Sequence, residues 1–110
     1  MASVTRRYSF TALLDGRQGY TWDCFVSVHG SIDPITGMVT DIGALDRLVQ
    51  ERVIRICYRQ DLREVLKAPA ISGAHLAEYI WNALVSRLSS GSLKNIRVVQ
   101  SRDLSFDYSG

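Results

Sequence analysis

Two segments of alternating apolar and polar residues lie next to each other near the N-terminus, and they restrict the fold more than any other feature. In residues 4–14 five apolar side chains share one parity, in which only Arg6 is an interruption: Val4, Tyr8, Phe10, Ala12 and Leu14. In residues 20–29 they again share one parity, with Phe25 as the exception: Tyr20, Trp22, Cys24, Val26 and Val28. A period of two is typical of strands with one buried face. Asp15–Gly19 between them contains turn-forming residues, so the sequence predicts a long antiparallel hairpin.

The spacing changes to a helical one after residue 39. Thr40 or Asp41 can cap a helix that ends near Arg55 or Ile56. Along this helix, residues spaced three and four apart would lie on one face: Ile42, Leu45, Leu48, Val49, Arg52 and Val53. The sequence of residues 57–71 predicts an irregular connection. It contains one helical turn at Asp61–Leu66, which Pro69 ends. Ser72 then caps a second helix with the stripe Leu76, Tyr79, Ile80, Ala83, Leu84 and Leu88, and Gly91 fits its C-terminal stop.

Two short strands complete the chain, Ile96–Ser101 and Leu104–Tyr108, with Arg102 and Asp103 as the turn between them. The order ββααββ predicts an α+β fold in a single domain over residues 1–110. Its simplest packing is a four-stranded antiparallel sheet with two helices on one face. Such a sheet has two bare edges, and association with other copies would cover them, so we expect a homo-oligomer.

The composition excludes several classes of protein. With 46% hydrophobic and 22% charged residues, the chain is not disordered. The net charge of +2, with interspersed signs, predicts no nucleic-acid partner. No apolar run reaches the roughly 20 residues of a membrane-spanning helix, and no secretory signal opens the chain, so we expect no membrane association and a cytoplasmic location. In that compartment Cys24 and Cys57 would be reduced.

One loop and two shorter motifs carry a resemblance to a known family. Residues 29–39, HGSIDPITGMV, are close to the pattern G-x-x-D-P-x-T-G-M-V of the 6-pyruvoyltetrahydropterin synthase and 6-carboxytetrahydropterin synthase family. Tyr79-Ile80-Trp81 and the closing segment Ser105–Gly110 are similar to two further parts of that family. The resemblance extends from Arg7 to Gly110. It implies the tunnelling fold, in which the sheets of several subunits form a barrel, and a trimer-based hexamer.

The chain departs from this family at the metal site. Family members hold one zinc ion with three histidines, and by position these fall on Ala12, Gln18 and Tyr20. All three share the same parity, so their side chains are expected to point into one pocket, but none is a competent zinc ligand. The two histidines, His29 and His75, lie elsewhere in the sequence and cannot rebuild the triad. We therefore expect neither a metal nor another cofactor.

Other family positions are also substituted. The turn at Asp15–Gly19 contains no counterpart of the catalytic cysteine, and the Asp-His pair after the first helix corresponds to Tyr58-Arg59. The glutamate early in the second helix corresponds to Ala74. The glutamate that accepts two hydrogen bonds from a pterin corresponds to Gln100, and a glutamine offers one acceptor and one donor. We therefore expect weaker binding of a pterin, or a ligand whose hydrogen-bonding edge differs from that of a pterin.

Two explanations fit this pattern. In the first, the scaffold carries a new pocket between subunits for metal-independent lyase or cyclase chemistry on a small polar molecule other than dihydroneopterin triphosphate. The residues then fall into two groups: Tyr58, Arg59 and Tyr20 as catalytic, and Gln18, Gln100, Ala12 and Ala74 as ligand-binding. In the second, the protein is a non-catalytic pseudoenzyme that binds a small molecule or acts as a scaffold.

Each candidate also has a purely structural interpretation. Tyr20 beside Trp22 is typical of an aromatic pair on a buried strand face. Tyr58 and Arg59 lie in a connection, where polar side chains are commonly only solvated. A surface position for His75 and a buried thiol for Cys57 are the alternatives to acid–base chemistry and to reactivity. The sequence contains neither a serine-nucleophile elbow nor a phosphate-binding glycine loop.

Overall fold

Four antiparallel strands form one sheet in the order β1-β2-β3-β4. The computed structural model describes residues 1–16, 18–68 and 71–110, so Arg17 of the predicted turn and Pro69 lie outside the described residues. The elements are β1 (Ala2–Leu13), β2 (Gly19–Gly30), α1 (Ile42–Val49), a π-helical segment (Gln50–Ile54), α2 (Arg55–Cys57), α3 (Leu62–Leu66), α4 (Gly73–Leu84), β3 (Ser92–Ser101) and β4 (Leu104–Tyr108). This confirms the predicted α+β class and the antiparallel sheet.

The predicted hairpin forms with its full register. β1 and β2 are 12 residues each and pair continuously from Ala2 opposite Gly30 to Leu13 opposite Gly19. The alternation of β2 is reflected in its burial, since its even-numbered side chains from Trp22 to Val28 are buried and its odd-numbered ones are not. We call the end of the sheet that carries the β1–β2 turn the hairpin end.

The core lies between the sheet and the helices. Its strand side chains come from one face of the sheet: Phe10, Ala12, Trp22, Cys24, Val26, Val28, Leu93, Ile96 and Val98. Its helical side chains come from α1 to α4 and the π-helical segment: Leu45, Val49, Val53, Cys57, Leu62, Leu76, Ala77, Ile80 and Leu84. The opposite face of the sheet carries no helix within the described residues. None of the described helices is long and apolar enough to cross a membrane.

The first helical region begins as predicted and changes its winding midway. Asp41 is the N-cap, and its side chain accepts a hydrogen bond from the Ala44 N–H at 3.0 Å. Thr40, the other candidate cap, is buried and donates its hydroxyl to the Ser90 carbonyl at 2.9 Å. The π-helical segment then carries the chain into α2, which ends at Cys57, close to the predicted end. The π-helical winding was not predicted, because residue spacing does not report the hydrogen-bond pattern.

Gly91 does not end the second long helix, contrary to the sequence prediction. α4 ends at Leu84, with Val85 as its C-cap, so Leu88 also lies beyond it. Gly91 instead has φ +75°, and a Cβ there would stand 2.7 Å from Cγ1 of Val28 and 3.3 Å from the Val39 carbonyl oxygen. The glycine is needed for a close approach to β2 and the following loop.

β3 begins at Ser92, four residues before the predicted Ile96. Its register against β2 shifts where Ser27 pairs with Asn95 and Val28 pairs with Leu93. Lys94 is the extra residue at this bulge, so the buried Leu93 and Ile96 are three residues apart. This spacing breaks the period of two and hides the start of the strand.

Candidate functional site

The connection after α2 lies against the hairpin end of β1. The Arg59 N–H donates to the Thr11 carbonyl at 2.7 Å, and the Leu13 N–H donates to the Gln60 carbonyl at 2.9 Å. These backbone bonds extend the sheet locally beyond the edge of β1. They fix Tyr58 and Arg59 beside the strand end that the sequence analysis singled out.

Arg59 holds a conformation that is rare for a side-chain-bearing residue. Its φ is +57°, in the left-handed region. Its guanidinium carbon lies 5.1 Å from the centroid of the Tyr58 ring, within the range of a cation–π contact. Tyr58 is 46% exposed, and Arg59 has no ion pair among the residues that the structure describes. The pair therefore presents a phenol and an uncompensated cation to solvent.

Tyr20 and Ala12 are directly opposite each other in the β1–β2 register. The Tyr20 ring is half-buried and packs on Trp22, with ring centroids 5.6 Å apart and planes tilted by 48°. The Trp22 Nε1–H donates to the Ala12 carbonyl at 3.4 Å. Ala12 is fully buried, so its methyl group fills the core. The aromatic pair that the structural interpretation of Tyr20 requires is therefore present in the fold, and the tyrosine as a whole is only half-buried.

The two glutamines lie toward the hairpin end, with Gln18 in the turn before β2 and Gln100 on the neighbouring strand β3. Gln18 is exposed, and its main chain closes the turn, with the carbonyl accepting from the Leu14 N–H at 3.2 Å and the N–H donating to Oδ1 of Asp15 at 3.1 Å. Gln100 is half-buried and falls at a register shift between β3 and β4. A bulge at such a place re-aims a side chain away from the regular ladder.

Ala74 stands apart from these residues, in the first turn of α4. It is exposed, and its N–H donates to Oγ of the N-cap Ser72 at 3.2 Å. The Ser72 N–H in turn donates to Nδ1 of His75 at 3.0 Å, which completes a capping box. His75 is exposed, and its ring has a structural role because it accepts this hydrogen bond at the start of the helix. Gly73 packs so closely on the Phe106 ring that a Cβ there would overlap it.

The structure thus brings most of the predicted site residues to one end of the sheet. Tyr58, Arg59, Tyr20 and Gln18 surround the end of β1 and the start of β2. Gln100 is one residue beyond the paired residue Val99 of β3, toward the same end. Within this single chain these residues form an open rim. A phenol, a guanidinium and an amide can together bind an oxyanion and donate a proton to it.

The three residues that the resemblance places at the family's zinc positions do not fit a metal ion. They supply a buried methyl group (Ala12), an exposed amide (Gln18) and a phenol (Tyr20). In the described part of the chain, no three His, Cys, Asp or Glu side chains come together to hold a metal. His29 is half-buried on β2, opposite Ser3 of β1, and His75 caps α4.

The two cysteines are free and buried in the core. Burial raises the pKa of the Cys57 thiol to about 12. Burial also raises the pKa of Cys24, with Cys57 and Asp23 adding to the effect. Both thiols therefore stay protonated at neutral pH, and neither provides a nucleophile.

A polar cluster that the sequence analysis did not single out joins α1 to β1. Arg6 donates from Nε and Nη2 to the two carboxylate oxygens of Asp46, at 3.2 and 3.0 Å, and the Tyr8 hydroxyl donates to Oδ1 at 2.7 Å. Hydrogen bonds from Arg6 lower the pKa of Asp46, while burial raises the pKa of Tyr8. Arg6, the residue that interrupts the apolar parity of β1, was the available signal.

The fold and its matches define this chain as a tunnelling-fold protein. Its fold matches a Caenorhabditis elegans 6-pyruvoyl tetrahydropterin synthase structure with a TM-score of 0.86 and 22% identity, covering 99% of this chain and 95% of that one. Residues 17–110 match the family described as 6-pyruvoyl tetrahydropterin synthase. The chain therefore belongs to the 6-pyruvoyl tetrahydropterin synthase family.

Two curated relatives agree with this assignment. Human 6-pyruvoyl tetrahydrobiopterin synthase is 30% identical over 95 residues, which cover 84% of this chain and 66% of that protein. The Pongo abelii protein of the same description is 28% identical over 95 residues, with the same coverage. The matched region thus spans just under two thirds of the length of these relatives.

Proposed function

We propose that this chain is a zinc-independent member of its family that carries out lyase or cyclase chemistry on a small polar substrate. The observation that carries the proposal is the pairing of the Tyr58–Gln60 connection with β1. It fixes a phenol and a guanidinium, in contact with each other, where the resemblance places an Asp-His pair. We also propose a cytoplasmic location, where Cys24 and Cys57 would stay reduced.

Arg59 and Tyr58 divide the chemistry between them. The guanidinium binds a substrate carboxylate or enolate oxygen through parallel hydrogen bonds and stabilises the negative charge that develops there. The Tyr58 phenol donates a proton to the departing oxygen as a general acid, and the phenolate that results takes up the proton that the substrate loses, which restores the phenol. Tyr20 supplies a second phenol on the same rim. Chemistry of this kind requires only that the substrate is held in position and that hydrogen-bond and proton donors face it.

The amides set the choice of substrate. Gln100 replaces an acceptor-only carboxylate with a group that donates from one atom and accepts at the other. Such a group pairs with a ligand edge that has one donor and one acceptor. Gln18 adds a second amide at the rim. Dihydroneopterin triphosphate is therefore not the substrate that we propose.

A second copy of the chain would close the open rim into a pocket. Within the described residues, β1 pairs with β2 and, at its last residues, with the Tyr58–Gln60 connection, while β4 pairs with β3 alone. The free edges of β1 and β4 can pair between copies. We propose a homo-oligomer on this basis, and the resemblance implies a trimer-based hexamer.

A non-catalytic binding protein is the second candidate. Ala12 and Ala74 favour it, because two positions that carry a histidine and a glutamate in the family carry methyl groups here. One is fully buried and the other is exposed on α4. In this second candidate the protein keeps the homo-oligomer, and the open rim binds a small molecule without converting it.

Native mass spectrometry tests the proposal directly. The wild-type protein, R59Q, Y58F and the control R55Q, which changes an exposed arginine of α2, are incubated with extract of the source cells and measured without denaturation. We expect a metal-free oligomer that retains a small organic mass, with retention lost in R59Q and kept in R55Q. Conversion of that molecule by the wild type but not by Y58F would establish catalysis.

Three results would contradict parts of the proposal. Stoichiometric zinc would overturn the metal-independent mechanism. Retention by R59Q equal to that of the wild type would remove Arg59 from the site. A retained molecule that the protein never converts would favour the non-catalytic candidate.

A further inference from the structure

A side-chain cluster joins the β1–β2 turn to the start of α3. Nη2 of Arg63 donates to the Asp15 carbonyl at 2.6 Å and to Oδ2 of Asp61 at 3.0 Å. Nε of Arg63 donates to Oδ1 of Asp61 at 3.4 Å. We call Asp61 and Arg63 the turn clamp. Asp15 and Arg63 are 48 residues apart in the sequence, so this contact forms only in the folded chain.

The carboxylate of the turn clamp is itself fixed in place. Asp61 is the N-cap of α3, and its Oδ1 accepts from the Arg63 N–H at 2.9 Å. The Asp61 side chain is 14% exposed, against 40% for that of Arg63. Hydrogen bonding from Arg63 lowers the pKa of Asp61, so the pair stays charged at neutral pH. The turn clamp therefore consists of an anchored acceptor and a donor that reaches from it to the turn.

The backbone of the turn packs directly on the turn clamp. Gly16 has φ +78°, and a Cβ there would stand 2.8 Å from Nη2 of Arg63 and 2.9 Å from Oδ2 of Asp61. These distances leave no room for a side chain, so a glycine is needed for this close approach. The turn and the ion pair are therefore in direct contact.

The two segments that the turn clamp joins carry opposite sides of the open rim. The Tyr58–Gln60 connection leads into Asp61 and carries the phenol and the guanidinium of the proposed site. Gln18 closes the clamped turn through its main chain, and Tyr20 follows at the start of β2. The separation between these two sides therefore depends on how firmly the turn is held to α3.

We propose that Arg63 is a positioning residue, which keeps the two sides of the open rim at a fixed separation. This inference rests on the proposed function, because the open rim is the site whose geometry Arg63 sets. Asp61 neutralises the charge of Arg63, so the guanidinium of Arg59 remains the group that binds a substrate anion. Arg63 acts on the chemistry only through the positions of the other residues.

Three variants separate the turn clamp from the stability of the fold. R63Q removes the guanidinium, and the shorter, neutral side chain cannot join the carboxylate to the turn. D61N keeps the helix cap, because an asparagine oxygen still accepts from the Arg63 N–H, but it removes the anion that orients the guanidinium. R97Q is the matched control, because Arg97 forms an ion pair with Asp107 at 3.0 Å between β3 and β4.

Nuclear magnetic resonance of the protein labelled with ¹³C-tyrosine measures the open rim without a ligand. We expect the ring signals of Tyr20 and Tyr58 to shift in both clamp variants and to stay in place in the control. Arg63 hydrogen-bonds to neither ring in the described part of the chain, so these shifts would report a changed rim. The ring signal of Tyr8 on β1 is the internal reference and should not move.

Hydrogen exchange shows where the structure loosens. In R63Q we expect at least tenfold faster exchange of the Leu13 and Leu14 N–H groups, which donate to the connection and across the turn. The end of the hairpin where Ala2 pairs with Gly30 should keep its exchange rates. Circular dichroism confirms that each variant is folded. Unchanged exchange and unchanged ring signals in folded R63Q, or equal shifts of all the tyrosine signals, would overturn the positioning role.

Native mass spectrometry of the same variants separates this inference from the proposed function. We expect retention of the small organic mass to fall at least fivefold in R63Q and D61N and to stay unchanged in R97Q. Retention by R63Q equal to that of the wild type would overturn the positioning role and leave the proposed function intact. A wild type that retains nothing, with the ring signals still shifted in R63Q, would overturn the proposed function and support the role of Arg63 in the geometry of the rim.

Discussion

The backbone of Arg59 is the clearest point of strain at the proposed site. A left-handed conformation costs a non-glycine residue about 1–2 kcal/mol, and the bond to Thr11 and the contact with Tyr58 offset part of this cost. Strain that persists in a polar, exposed connection is a reason to look for function there. Because of this strain, a substitution at position 59 also changes the free energy of unfolding, and this effect is separate from the loss of the guanidinium.

The variants R59G and R59V separate these two effects, because both remove the guanidinium. Glycine accepts a positive φ without steric cost, whereas the β-branched valine tolerates it least. We expect R59G to match the wild type in unfolding free energy within about 0.5 kcal/mol and R59V to lose more than about 1 kcal/mol. Urea unfolding measures both. Equal losses in the two variants would show that the conformation is not strained.

Asp46 gives the second residue-scale prediction. Its two bonds from Arg6 and one from Tyr8 keep its pKa below the ordinary value of 3.8. A lowered pKa contributes stability above that value, and this stability is lost as the pH falls through the folded pKa. We expect D46N to cost about 1 kcal/mol at pH 7, since the carboxylate is partly exposed, and to flatten the decline of stability below about pH 4.

Unfolding free energies measured between pH 2 and 7 check this prediction. The control is D103N in the β3–β4 turn, which removes a carboxylate that has no ion pair in the described residues. D103N should leave the pH profile unchanged. A D46N profile parallel to that of the wild type would show that the cluster does not couple stability to pH.

At the scale of the elements, α4 is held to β4 through a glycine. Gly73 starts the helix with its Cα against the Phe106 ring, where a Cβ has no room. Gly43, also in the first turn of its helix, has only ordinary contacts, with Oδ1 of Asp41 at 3.4 Å and Nη1 of Arg47 at 3.5 Å. The two glycines therefore differ in packing while their helical positions are similar.

We expect opposite effects from the same substitution at these positions. G73A should lose about 1–3 kcal/mol because the added methyl displaces the helix or the ring. G43A should gain up to about 1 kcal/mol from helix propensity. Thermal unfolding compares them, and F106L should restore part of the loss in G73A. A stable G73A would mean that α4 can shift without cost.

The elements were predictable where one period governs the sequence, and less so where two interactions compete. The alternation of residues 4–14 and 20–29 specifies the hairpin, and Asp41 and Ser72 are typical caps. The start of β3 was missed because the bulge at Lys94 changes the spacing of buried residues. Gly91 was misassigned because a helix stop and a close backbone contact require the same residue.

At the scale of the whole molecule, the site was only partly predictable. Tyr58 and Arg59 were chosen from the resemblance, and nothing local in the sequence predicts that their connection pairs with Thr11 and Leu13 of β1. This pairing is a long-range backbone interaction that depends on how α2 ends.

The proposed homo-oligomer leads to the last prediction. Leu104 lies on the edge strand β4 and is 43% exposed, and Val85 at the end of α4 is equally accessible at 45%. If copies pair through their sheet edges, a buried carboxylate at that edge is costly. We expect L104E to raise the dissociation constant of the oligomer at least tenfold and V85E to leave it unchanged. Analytical ultracentrifugation measures both, with circular dichroism to confirm folding. An oligomer that survives L104E but not V85E would place the contact on the helical layer and leave the rim at Arg59 open.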